Sequence, residues 1–160
     1  MLLDNIMPVF DFNEVHAITV EASPAAIFRV LKELTPAEMP PFRLLFGFGS
    51  LRARAAGKGV LGFAGSQSLL ERFLSAGFAL LSEESGRELV LGTIGRFWSW
   101  ISEPPQIATV ANAQEFLAFD RPDYAKAALN FYVDRSHGDG GARVSSETRS
   151  LIALRKPIGC

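Results

Sequence analysis

The sequence predicts an α+β fold in which a curved antiparallel sheet carries helices on its concave face. Three observations carry this. Helical periodicity is confined to the first half of the chain, after a single strand. Residues 78–154 read as strands separated by turn signals. Strands grouped after helices indicate an antiparallel sheet rather than alternating parallel units. At 160 residues the chain fits one domain, 1–160, able to bury roughly 70% of its unfolded-chain surface.

The elements follow in order. The first six residues show no clear pattern, so the ordered core is expected over 7–160, with Met7 as an alternative start. In residues 13–21, Val15, Ala17 and Thr19 alternate with His16, Ile18 and Val20, the period of a strand covered on at least one face. Ser23 then supplies an N-cap and Pro24 a first helical position. Ile27, Val30, Leu31 and Leu34 follow at helical spacing. Thr35 to Glu38 has the capping-box pattern of a further helical turn, cut by Pro40 and Pro41. Residues 42–68 hold six of the 14 glycines and read as an irregular Gly/Phe-rich covering segment. Residues 68–76 form a short helix closed by Gly77.

Residues 78–83 and 87–98 flank Ser85-Gly86 as a hairpin. A further strand is expected around 115–119, then a turn over 120–123. Residues 124–136 and 142–154 make the last two strands, joined by a glycine-rich loop at 137–141.

This order resembles the START-like, or SRPBCC, superfamily of polyketide cyclases and lipid-transfer domains, which share the helix-grip fold. The carriers are VHAITVEASPAAIFRVLKEL, then FALLSEESGRELVLGTIGRFW, then AKAALNFYVDRSHGDGGARVSSETR, with Glu21 to Phe28 as the characteristic opening. The resemblance spans about three quarters of the chain and implies a cavity between sheet and helices; it names no chemistry. One departure stands out. The superfamily ends in a long helix that the sheet grips, whereas here the last strand leaves only Arg155 to Cys160. That helix is expected to be absent or truncated, leaving an open groove or one closed by a second copy.

Composition narrows the classes. A net charge of −1 gives no basic field, which disfavours nucleic acid as a partner. No apolar stretch reaches 18 residues, so no integral membrane segment is expected, and a cytoplasmic setting is the default. Cys160 is the only cysteine, leaving no disulfide framework. His16 and His137 lack any metal-ligand spacing, so no metal is expected. Gly57 to Gly62 matches GxGxxG but follows no strand, so no nucleotide cofactor is expected. No catalytic residue is assigned.

Candidate ligand contacts come from two patterns. Thirteen Phe against two Tyr make an aromatic surface largely without hydroxyls, suited to the core or to an apolar ligand. Phe46, Phe73 and Phe78 lie in or beside the covering segment. Arg96 and Trp98 end one long strand, while Asn130, Phe131, Glu147 and Arg149 lie within the last two. The final strand is polar on both alternating faces, so one polar set faces solvent, and two readings stay open for the other: a cavity or groove, or a solvated convex face bearing cross-strand ion pairs. Three functions stay open: binding a hydrophobic small molecule or lipid; a cyclase or dehydratase reaction in which Arg96, Glu147 or Arg149 polarises a carbonyl; or an interaction module whose groove takes another subunit.

Overall fold

The computed structural model describes residues 1–34, 67–97, 106–135 and 141–152. Four helices and six strands are present among them: α1 (Leu2–Ile6), β1 (Phe12–Val20), α2 (Pro24–Glu33), α3 (Leu69–Ser75), β2 (Ala79–Glu84), β3 (Glu88–Arg96), β4 (Gln106–Ala108), α4 (Ala113–Ala118), β5 (Ala125–Arg135) and β6 (Ala142–Ile152). The strands form one antiparallel sheet in the order β1-β6-β5-β3-β2, with β4 paired to β3. The sheet does not close into a barrel, and the fold is α+β as expected.

Local chemistry sets several boundaries. Ser23 precedes α2 and its hydroxyl accepts from the Ala26 amide at 3.3 Å. Ser68 and Glu71 form a reciprocal capping box at the start of α3. Gly77 follows α3 with φ of 91°, a conformation that glycine alone adopts without penalty. Gly86 takes φ of 77° in the β2–β3 turn. The last two strands lie within one or two residues of their expected limits.

Two units are distinguished, 1–28 with 77–160, and 29–76. In the second, the Leu69 amide at the start of α3 donates to the Leu34 carbonyl at 2.7 Å, and Leu69, Arg72 and Phe73 are buried. The first contains the whole sheet. Residues opposed across its strands share a face, so Val90, Asn130, Glu147 and Val15 lie on one side. Leu89, Phe131, Ser146 and His16 lie on the other.

Helices α1 and α4 cover the first side. Leu3, Ile6 and Met7 pack with Phe116 of α4 against Leu81, Val90, Ile94 and Ala128. Gly92 makes room for this layer: a Cβ there would fall on Leu81 Cδ1 and lie 2.9 Å from Phe116 Cε2.

Three readings change. The first six residues are not patternless in space, because Leu3 is fully buried and Ile6 is in the same core. A five-residue helix shows too little of a period to be read, and its hold comes from distant strands. Residues 113–118 form helix α4 rather than a strand: the Asn112 carboxamide caps the Glu115 amide at 3.0 Å, and the Glu115 carboxylate accepts from the Ala111 amide. That local cap outweighs the β-like composition of Glu115 to Phe119. Finally, β1 is exposed from Phe12 through Thr19 instead of being covered. It is an edge strand, and α1 lies over β2, β3 and β5 and α4 over β2 and β3.

The turn expected over 120–123 is present, with Asp123 at φ of 67°. The capping-box turn at Thr35, most of the covering segment 42–68, GxGxxG at 57–62, most of the loop at 137–141 and residues 153–160 lie outside the described residues.

Candidate functional site

The helix-covered face brings four buried polar side chains together, and register explains how. Asn130 of β5 lies directly opposite Glu147 of β6. Arg149 follows two residues along β6, on the same face, and Glu88 of β3 lies diagonally across from Asn130. All four are buried, Glu88 and Asn130 to 1% exposure.

The Asn130 carboxamide links the two halves. Its Nδ2 donates to Glu88 Oε1 at 2.7 Å, while its Oδ1 accepts from the Glu147 amide at 2.9 Å. Only one orientation of the amide satisfies both, so the carboxamide is fixed. Glu88 accepts two more bonds, from the Leu2 amide to Oε2 at 2.7 Å and from the Leu3 amide to Oε1 at 3.2 Å. A strand carboxylate thus receives the first-turn N–H groups of α1, which a helix cannot pair internally.

Arg149 completes the arrangement. Its Nε donates to Glu147 Oε1 at 2.7 Å, one Nη to the Met7 carbonyl at 2.9 Å and the other to Asp4 Oδ1 at 2.7 Å. Its guanidinium also stacks over the Phe10 ring at 4.7 Å. Glu147 Oε1 receives a further bond from Asn13 Nδ2 at 3.3 Å. The bond to Glu147 raises the arginine's pKa against the opposing effect of burial, so it stays charged. The Arg149 bond, followed by one from the chain's α-amino group, holds the Asp4 carboxyl below its ordinary range.

Each of the three guanidinium nitrogens of Arg149 thus donates to a protein oxygen. Likewise, Glu88 spends both oxygens on protein N–H groups. The arrangement can fix α1 to β3, β5 and β6 strongly. It presents Asn130, Glu147 and Arg149 to one another and to the N-terminal segment.

Phe131 is half-buried on the opposite face of the sheet, between Leu89 and Ser146. Arg96 is half-buried at the end of β3. Phe78 is half-buried just before β2, and Phe73 is buried in α3. Phe46 and Trp98 lie outside the described residues.

Glu88 was not among the candidates, although a signal existed. In ELVLGTIG its carboxylate falls, by alternation, on the same side as Val90 and Ile94. A charge at the head of an apolar face requires buried partners. Those partners, the amides of Leu2 and Leu3, lie about 85 residues away and carry no side-chain signature.

On the opposite face, Leu89, Leu91, Thr93 and Val133 are buried, while Leu129, Phe131 and Val144 are half-buried. Ser146 and Ser150 are half-buried beside them and Thr148 is exposed. The Thr93 hydroxyl donates to the Gly77 carbonyl at 3.1 Å. Among the described residues, no group of three or more His, Cys, Asp or Glu is placed to hold a metal ion, and no helix is long and apolar enough to cross a membrane. Comparison with protein-family models, curated proteins and solved structures returns no match.

Proposed function

We propose that the chain binds a hydrophobic small molecule or lipid against the sheet face that carries Leu129, Phe131 and Val144. The observation behind this is the contrast between the two faces. One is filled by α1, α4 and a closed polar network. The other combines half-buried apolar side chains with the hydroxyls of Ser146, Thr148 and Ser150. Apolar lining with a few hydroxyl partners is the usual chemistry of a small-molecule site. The START-like resemblance belongs to the same proposal, and an antiparallel sheet carrying helices is compatible with it.

This reading moves the polar contacts. The hydroxyls of β6 take the role first given to Asn130, Glu147 and Arg149, which serve the fold. Titration with a fluorescent apolar probe and with a long-chain fatty acid tests the assignment. Phe131→Ser is expected to weaken binding about tenfold, equivalent to about 1.4 kcal/mol of lost contact. The paired replacement Glu147→Leu with Arg149→Met leaves affinity within about twofold. A wild-type chain that binds neither probe contradicts the proposal. So does a Phe131→Ser chain, folded by circular dichroism, that binds both as well as the wild type.

A further inference from the structure

Strand β1 is a nine-residue edge strand, FNEVHAITV, and each residue from Phe12 to Thr19 is exposed. Phe12 and Ile18 are 64% exposed and Val15 is 54% exposed. Proteins blunt such edges with proline, lysine, a bulge or a covering element, because unpaired backbone groups template another strand. This strand has no proline, lysine or arginine, and its pairing with β6 runs without a register shift.

We propose that two copies of this chain pair antiparallel through β1 across a two-fold axis at Val15. An axis normal to the sheet keeps each face on its own side, so opposed residues must share a face and the axis must pass through a residue. With the axis at Val15, Phe12 meets Ile18 of the second copy, Glu14 meets His16, Asn13 meets Ala17, and Val15 meets itself. The most exposed apolar residues of the strand oppose each other, and a carboxylate opposes an imidazole, each twice. Glu14 and His16 already lie 2.9 Å apart within one chain, so the two copies bring together a four-membered cluster of alternating character. Neighbouring registers lack this match. An axis at Glu14 sets two carboxylates face to face, and an axis at His16 sets Glu14 against Ile18. The sequence of the edge is therefore complementary to itself in one register, which selects a second copy as the occupant. This inference stands independently of ligand binding on the sheet face.

Light scattering coupled to size exclusion, at high-micromolar concentration, reads the result. The wild type is expected to show twice the 17.4 kDa mass of one chain. Val15→Lys and Val15→Glu are each expected to run as one chain, because like charges oppose at the axis. Mixed in equal amounts, the two variants are expected to restore the doubled mass. Leu117→Lys, at an exposed position on α4, leaves the doubled mass unchanged. A wild type with the mass of one chain overturns the proposal, as does a Val15→Lys chain that still dimerises. A mixture of the two variants that does not associate overturns it as well.

Discussion

The two faces of the sheet solve the same burial problem by different means. On the helix-covered face, Leu3, Ile6, Val90, Ile94 and Phe116 form an apolar layer, and Glu88, Asn130, Glu147 and Arg149 fill its continuation toward β6 with hydrogen-bonded polar groups. On the opposite face, the buried positions of β3 are Leu89, Leu91, Thr93 and Gly95, with half-buried Leu129 and Phe131 beside them on β5. The difference teaches that polarity within a strand does not by itself mark a binding surface. A buried polar side chain hydrogen-bonded to the protein's own groups specifies position, and in this sheet Glu88, Asn130, Glu147 and Arg149 are of that kind.

The sharpest way to break this contrast is to leave the network half-made. Arg149→Met alone leaves the Glu147 carboxylate buried without its cation, and Glu147→Leu alone leaves the guanidinium without its closest partner. Each is expected to cost about 3–5 kcal/mol in urea denaturation. The double variant is expected to lose far less than their sum, because no uncompensated charge remains. Additive losses in that cycle indicate two independent residues and break the comparison.

Next comes the apolar half of the same face. Leu3→Ala is expected to cost about 2–5 kcal/mol in the same assay, the range for truncating a fully buried leucine. An effect below about 0.5 kcal/mol places α1 outside the cooperative fold.

The smallest effect sharpens the edge of the network. Asp4 is half-exposed, so its pairing with Arg149 is screened and contributes modestly. Its folded pKa lies below the ordinary 3.8, so the ionised form stabilises the fold above that value. The contribution is lost as pH falls through the lower, folded value. Asp4→Asn is therefore expected to flatten the acid limb of a stability–pH curve slightly and leave the curve's shape above pH 5 unchanged.

What the sequence made legible follows the range of the forces involved. Helix α2 is readable because Ser23-Pro24 marks its start locally, and α3 because Gly77 marks its end. The β2–β3 hairpin was readable because Ser85-Gly86 demands a turn, and β5 and β6 because eleven-residue strands show their alternation. Helix α4 was missed although Asn112 and Glu115 offered a local cap; the aromatic-rich run after them suggested a strand. Helix α1 had no local signal, since its amides are satisfied by Glu88. For the candidate site, the sequence found Asn130, Glu147 and Arg149 as polar residues inside strands. Which of them face one another depends on cross-strand register, and that pairs residues 17 positions apart here.

The central claim is that Glu88 and Arg149 lock the N-terminal helix into the sheet. Hydrogen exchange at the Leu2 and Leu3 amides tests it most directly. Both are expected to exchange only with global unfolding, and to lose protection in Glu88→Ala before the amides of β5 and β6 do. Exchange at the rate of an unstructured chain in the wild type would contradict it.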